Sequence, residues 1–395
     1  MWWTVNNIGG PGRVNHAAVA IGDKIYSFGG YCTGENYKDE KPIDVFILNT
    51  NTYRWSALPK PKPRDSTYSD WPVQRYGHSI SARGDNIYLY GGRNAKKIWS
   101  ALYIFNVQSL TWSKPKVSGE IPMARDGHTS TIIGDYLYIC GGFENNDFSH
   151  FISKLNLSTM TWSTAWADGK APQYRDFHSA TKIGDNKILI FGGRSEINFH
   201  ESYPTDVHYL DTDTMTWHSP RVSGLVPPDG RRSHSAVNVN DDLLIFGGYN
   251  SELDVHYNDV WVLNTRTWVW KEVTPHGSCV PIPRRRHAMC QIDGGSRLFI
   301  FGGTSHYDGP PLYFTQEQLS YFLAIDDDYS ADNMLIDLND TYVLDLNPSL
   351  KTLCLSKVIE SDLPTENLPL NIKQELKWMT EPNNISTPLR TLPLG

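Results

Sequence analysis

Six residues in this chain of 395 directly follow an Arg that stands three places before a His: Val14, Tyr76, Asp126, Asp176, Arg232 and Arg285. A second six directly follow a Gly-Gly pair: Tyr31, Arg93, Phe143, Arg194, Tyr249 and Thr304. Their neighbours repeat while they themselves differ, which marks them as carriers of specificity rather than of packing. The first set is polarised, with two carboxylates followed in order by two guanidiniums, and Arg194 adds a third positive charge nearby. A guanidinium fork can make two parallel hydrogen bonds to a carboxylate. Gathered round one opening, these groups suit a ligand with an anionic end and a cationic group a short way off. The competing arrangement pairs the Asp and Arg side chains with each other or with their neighbours. The six repeated His residues (16, 78, 128, 178, 234 and 287) occupy equivalent places in different repeats, too far apart to share an ion. Structural hydrogen bonding is their expected role, and neither a metal nor a cofactor is called for. No Ser-His-Asp order, phosphate loop or paired-carboxylate spacing stands out, so binding is expected here rather than catalysis.

What must position these groups is a sixfold repeat. An apolar run ending in Gly-Gly recurs at Gly29-Gly30, Gly91-Gly92, Gly141-Gly142, Gly192-Gly193, Gly247-Gly248 and Gly302-Gly303, with spacings of 50 to 62 residues. Downstream, an Asn or Asp precedes a Trp by six places at Asn49/Trp55, Asn106/Trp112, Asn156/Trp162, Asp211/Trp217 and Asn264/Trp270. Gly-Asp turns at Gly22-Asp23, Gly84-Asp85, Gly134-Asp135 and Gly184-Asp185 suit hairpins. The run after each turn, such as Leu189-Ile190-Phe191, is continuously apolar, as a strand buried on both faces should be. Each unit therefore reads as four short strands. The period is that of kelch repeats, and the expected fold is an all-β, six-bladed kelch β-propeller over residues 1–348.

The sixth unit departs from the pattern. Six residues after Asp345 stands Lys351, not Trp, whereas Trp3-Thr4-Val5 at the N-terminus belongs to no unit and resembles Thr111-Trp112-Ser113. The N-terminal strand is therefore expected to complete blade six and close the ring, which removes exposed sheet edges. Two insertions interrupt the regularity. Residues 57–73 carry Pro-Lys-Pro-Lys-Pro between blades one and two, and residues 304–336 inside blade six carry Asp326-Asp327-Asp328. Long loops are often functional. The acidic triplet reads either as a solvated loop or as a site for Ca²⁺ or a basic partner.

Composition narrows the class. Thirteen Trp and 31 Gly favour tight turns round packed aromatics. A net charge of −7 offers no broad basic surface for nucleic acid. Five cysteines without ligand spacing read as reduced thiols in a cytoplasmic and nuclear protein. The start has no signal-peptide pattern, and no apolar run of about 18 residues spans a membrane.

After Asn347-Pro348-Ser349 the strand signals stop. Ser349 is a good helix N-cap, and Leu350, Cys354 and Val358 recur every four residues, placing them on one helical face. A second helical segment begins Leu368-Pro369 and continues through Ile372 and Leu376. The tail is thus expected to be helical over 349–380 and flexible over 381–395. Its apolar sides need cover, either from the propeller flank or from another protein.

These residues carry a family resemblance. Leu350-x-x-x-Cys354-x-x-x-Val358 resembles the BC box that docks on elongin C, and Leu368-Pro369-x-x-Ile372 resembles a cullin-2 box. Together with the repeats, and with the stretches 13–20, 26–32 and 349–354, they resemble the kelch-repeat substrate receptors of cullin-2 ubiquitin ligases, over nearly the whole chain. The resemblance implies a non-catalytic receptor that works with elongin B/C and cullin-2. Such a receptor grips the last residues of substrate proteins, typically ending in Gly, for ubiquitination and degradation. It further implies that Arg232, Ser233 and Arg285, helped by Arg194, hold the terminal carboxylate. A side chain on the last residue would clash with a closely wrapped floor. Asp126 and Asp176, with Tyr76 beside them, would favour Arg or Lys just before the Gly. Where a related receptor carries a further Arg after its Gly-Gly, this chain departs, reading Ser195-Glu196-Ile197-Asn198-Phe199. The chain's own ending, Pro393-Leu394-Gly395, is a weak mimic that could occupy the pocket in cis or in a neighbouring copy, or be incidental. The rival reading is a kelch interaction scaffold without ligase activity, for cytoskeletal or chromatin partners.

Overall fold

The hairpin turns and apolar runs of each repeat form one antiparallel sheet. In blade two the strands are Ser79–Arg83, Asn86–Tyr90, Leu102–Asn106 and Thr111–Ser113, paired in chain order. The computed structural model describes residues 1–386 apart from 34, 36–39, 145–146, 149–151, 225–227, 293 and 307–334. Six such sheets form a closed β-propeller. In each blade the second strand is largely buried, as in Lys187–Phe191, where four of five residues are buried. The expected fold therefore holds.

Each sequence signature has a local cause. In blade two, Asn106 Oδ1 accepts the N–H groups of Gln108 at 3.1 Å and Ser109 at 3.0 Å, a side-chain turn that reverses the chain after the third strand. Leu110 then takes φ +54°, which sets Trp112 opposite Phe105. Gly-Gly is required because the chain passes under two histidines. A Cβ on Gly91 would lie 2.5 Å from His128 Cε1, and one on Gly92 would lie 2.7 Å from His78 Cβ, with φ of +67° and +84°.

The N-terminal strand Trp2–Asn7 is the fourth strand of blade six, pairing antiparallel with Thr341–Asp345. Trp3 faces Leu344, the register in which Trp55 faces Leu48 and Trp270 faces Leu263. The missing sixth Trp is therefore supplied from the other end of the chain.

After Asp345 the chain instead forms two helices, α1 (Leu350–Glu360) and α2 (Leu370–Thr380), which pack against the N-terminal strand. Ser349 caps α1, its Oγ accepting the Thr352 N–H at 3.0 Å. Leu355, Leu376 and Met379 join the same core as Val5, Trp55 and Phe301. Part of the segment expected to be flexible is tied down. Asn383 N–H donates to the Ile8 carbonyl at 2.7 Å, and Ala57 N–H donates to the Ser386 carbonyl at 2.7 Å. The cause is the open edge of blade one's outer strand, Arg54–Ala57, which residues 383–386 cover.

Of the insertions, 57–73 contributes Trp71 to the core between blades one and two. The insertion in blade six leaves as Thr304–His306 and returns as Leu335–Asp337, a paired hairpin base. Asp326-Asp327-Asp328 and the terminal Pro393-Leu394-Gly395 lie outside the described residues.

Candidate functional site at the channel mouth

The channel wall is built from the third residue of each Arg-x-x-His. Asn15, Gly77, Gly127, Phe177, Ser233 and Arg286 all have positive φ, between 47° and 66°. Their amides form a closed ring of hydrogen bonds. Gly77 donates to the Asn15 carbonyl, Gly127 to Gly77, Phe177 to Gly127, Ser233 to Phe177, Arg286 to Ser233 and Asn15 to Arg286, all at 2.8–3.2 Å. This collar turns each preceding residue to one side of it. There the two sets picked out in the sequence meet pairwise, as Val14–Tyr31, Tyr76–Arg93, Asp126–Phe143, Asp176–Arg194, Arg232–Tyr249 and Arg285–Thr304, each pair bridged by backbone hydrogen bonds.

The repeated Arg and His are scaffold. Arg231 reaches both the Gly247 carbonyl at 3.1 Å and Asp259 at 2.5 Å, and Arg284 reaches Asp340 at 2.6 Å. Arg75 has Ala101 where Arg13, Arg175, Arg231 and Arg284 have Asp before the third strand, and its guanidinium lies 4.2 Å from the Trp99 ring instead. Four His rings bond the hydroxyl that follows the preceding blade's His: His128 with Ser79, His178 with Thr129, His234 with Ser179 and His287 with Ser235, at 2.7–3.0 Å. Burial holds all six well below the usual histidine range, so they are neutral.

The first site residues fall as the competing arrangement allowed. Arg194 is locked to Asp176 by two hydrogen bonds of 3.1 and 2.6 Å, and to Glu201 at 3.2 Å. Burial disfavours the Arg194 charge, but the two carboxylates outweigh it and raise its pKa. Arg194 is therefore not a free helper for a ligand carboxylate, and the inaccessible Asp176 is not a free reader of a basic residue. Turning Arg194 toward a ligand would leave the buried Asp176 charge uncompensated, which is strongly unfavourable. The Ser195–Phe199 stretch forms a hairpin arm with Phe199 at its tip, 93% exposed.

Arg232 and Arg285 come together on blades five and six. Their guanidinium carbons lie 5.6 and 4.2 Å from the Tyr249 ring centroid, so both cations gather at one aromatic ring. Ser233 Oγ is buried with no hydrogen-bond partner. Across the ring on blade three, Asp126 is buried and its Oδ1 has no partner. Burial raises its pKa to about 6, with Arg93 opposing and Asp176 reinforcing the rise. Tyr76 packs edge-on against Tyr31 at 5.3 Å beside Val14.

Two residues of this mouth, Arg286 and His256, were not singled out in the sequence. Arg286 donates from Nη1 to Tyr31 Oη at 2.7 Å, linking blade six to blade one. His256 lies 4.5 Å from Tyr249 and has a buried, unpartnered Nε2. Its pKa falls to about 3, through burial first and then the nearby Arg285, His306, Arg286 and Arg232. Tyr249 donates to Asp254 at 2.9 Å. The run Arg284-Arg285-Arg286 was the available signal for Arg286, while His256 lies outside every repeat signature.

The tail splits. Leu350 (78% exposed) and Cys354 face outward, as do Pro369 and Leu370 (82%). Val358, Leu368 and Ile372 instead pack against the propeller core. Four-residue steps drift by roughly 40° each, so Val358 turns away from Leu350 toward the buried Leu355.

A family model described as the KLHDC2/KLHL20/DRC7 Kelch-repeats domain matches residues 15–248, 144–303 and 200–359. The chain therefore belongs to the kelch-repeat β-propeller family. It is 42% identical to Kelch domain-containing protein 3 of Rattus norvegicus and of Homo sapiens, over 98% of both chains in each case. Kelch domain-containing protein 2 of Bos taurus is 28% identical over 74% of this chain and 63% of its own. A kelch protein-interaction role follows from this membership.

Proposed function

We propose that the propeller receives protein C-termini ending in glycine, preferably after Arg or Lys, as the substrate-recognition subunit of a cullin-2–elongin B/C ubiquitin ligase in cytoplasm and nucleus. The supporting observation is the polarised mouth. Arg232 and Arg285 lie against Tyr249, the neighbouring Ser233 has a buried hydroxyl with no partner, and Asp126, whose buried Oδ1 has none either, stands across the ring. A terminal carboxylate would lie against the two guanidiniums and Ser233. The crowded collar leaves little room for a side chain on the last residue, and Asp126 would take the cation before it. Arg194 and Asp176 act in this reading as a fixed brace.

The tail supports the ligase half. Leu350 and Cys354 expose apolar surface that the propeller does not cover. Val358, Leu368 and Ile372 would have to act from the seam with the propeller, an observation that favours the scaffold reading, in which the tail only closes blade six.

Two measurements separate the parts. Peptides ending Arg-Gly should bind the full chain, and amidating the C-terminus should abolish binding; binding that survives amidation rejects the carboxylate clamp. Elongin C should co-purify with the wild type and not with Leu350→Ser/Cys354→Phe. Equal recovery, or none from either, rejects the ligase assignment and leaves the scaffold.

A further inference from the structure

In five blades the residue before Gly-Gly is aromatic: Phe28, Tyr90, Phe191, Phe246 and Phe301. Each ring crosses to the next blade in ring order and packs on its repeated Trp. The centroid distances are 5.4 Å for Phe28–Trp112, 5.2 Å for Tyr90–Trp162, 5.1 Å for Phe191–Trp270, 5.8 Å for Phe246–Trp3 and 5.0 Å for Phe301–Trp55. Tyr90, Phe191, Phe246 and Phe301 also meet the next blade's His, as Tyr90 meets His128 at 5.5 Å. Blade three carries Cys140 at this position. Its slot keeps the other walls, Gly141, His178 and Trp217, but among the described residues no ring takes the place of the missing one, and a cavity of about 380 Å³ opens there. Trp166, 75% exposed, stands at its rim.

The walls describe what fits. The thiol is buried, and burial pushes its pKa up to about 12, so it carries no charge. Arg175, also on the wall, is engaged by Asp206 at 3.0 Å and by the Gly192 carbonyl at 3.1 Å. His178 is held neutral. An apolar cavity of about 150 Å³ already takes benzene, so one ring fits with room. The slot between blades two and three adds a preference. There Tyr90 donates its hydroxyl to the Pro122 carbonyl at 2.8 Å. Pro172 precedes Arg175 by three residues, as Pro122 precedes Arg125, and it lines the cavity.

We propose that the gap between blades three and four binds a small uncharged molecule built on a single aromatic ring, phenols ahead of plain arenes, seated where the other five blades carry a ring of their own. None of Asp126, Arg232 or Arg285 lines this cavity, so the site is separate from the channel mouth.

The test uses the full chain with p-cresol, toluene and p-hydroxybenzoate as probes, followed by ligand-observed NMR titration. Binding to the wild type should fall in that order. Cys140→Phe supplies the missing ring and should weaken p-cresol at least about tenfold while raising the melting temperature. Cys140→Leu fills part of the space with less bulk and should weaken p-cresol to an intermediate degree, which keeps the test decisive if Cys140→Phe fails to fold. Failure of p-cresol to saturate the wild type at millimolar concentration, or equal affinity in wild type and the folded variant, overturns the site.

Discussion

At the scale of single residues the mouth balances charges that it neutralises against charges that it holds ready. Asp176 and Arg194 satisfy each other, whereas Asp126 keeps a buried oxygen without a partner. Its raised pKa of about 6 fixes the sign of two effects. Below pH about 4 the carboxyl is protonated in both folded and unfolded chains. Between about 4 and 6 the unfolded chain releases a proton that the folded chain keeps, so this group's contribution to stability falls as pH rises. Asp126→Asn should then stabilise the protein at pH 7 by up to about 3 kcal/mol, read as a higher melting temperature. The same substitution should erase the preference for a basic residue before Gly. In the wild type that preference should grow as pH rises through 6, because only the ionised carboxylate attracts the cation. A pH-independent preference would contradict this assignment. Arg232→Ala should weaken an Arg-Gly-ending peptide by more than about 30-fold, since truncating one side of a desolvated charge pair costs roughly 2–5 kcal/mol. Equilibrium titration of the two proteins checks it.

At the scale of elements the first strands of neighbouring blades are stitched by His–hydroxyl bonds, but two stitches are missing. His78 faces blade one and His16 faces blade six, where the residue after the repeated His is Ala17 or Ala288. Both ring nitrogens of His16 and of His78 lack hydrogen-bond partners. Ala288→Ser should supply His16 with the hydroxyl that His287 has from Ser235, and Ala17→Ser should do the same for His78. Each should raise stability by about 1 kcal/mol, measured by denaturant titration. If Ala288→Ser leaves the stability unchanged or lowers it, the stitching account fails.

At the scale of the whole molecule the ring is closed by both chain ends. The N-terminal strand supplies Trp3 and Val5 to two different inter-blade cores, and α1 and α2 cover the second of them. Deleting residues 1–6 should therefore lower the melting temperature of the entire propeller, not of blade six alone, because removing it exposes sheet edge and apolar core at once. A melting curve unchanged by the deletion would show that closure does not depend on this strand.

The repeats were legible because each signature acts within its own blade. Gly-Gly, Asn-to-Trp spacing and Arg-x-x-His answer to turns, Asx bonds and collar geometry that need only a few neighbouring residues. The displaced sixth Trp was legible for the same reason, since Trp3 had no repeat of its own. What the linear order could not decide was pairing across the ring. Asp176 and Arg194 read as opposed charges for a ligand, and only the backbone bridge between their positions joins them. Arg286 and His256 enter the mouth because six blades converge on one axis, a geometry no local pattern encodes. The division of the tail into outward Leu350 and Cys354 and inward Val358, Leu368 and Ile372 was equally hidden. Helical spacing defines which residues share a face, but the propeller flank decides how much of that face remains to be covered.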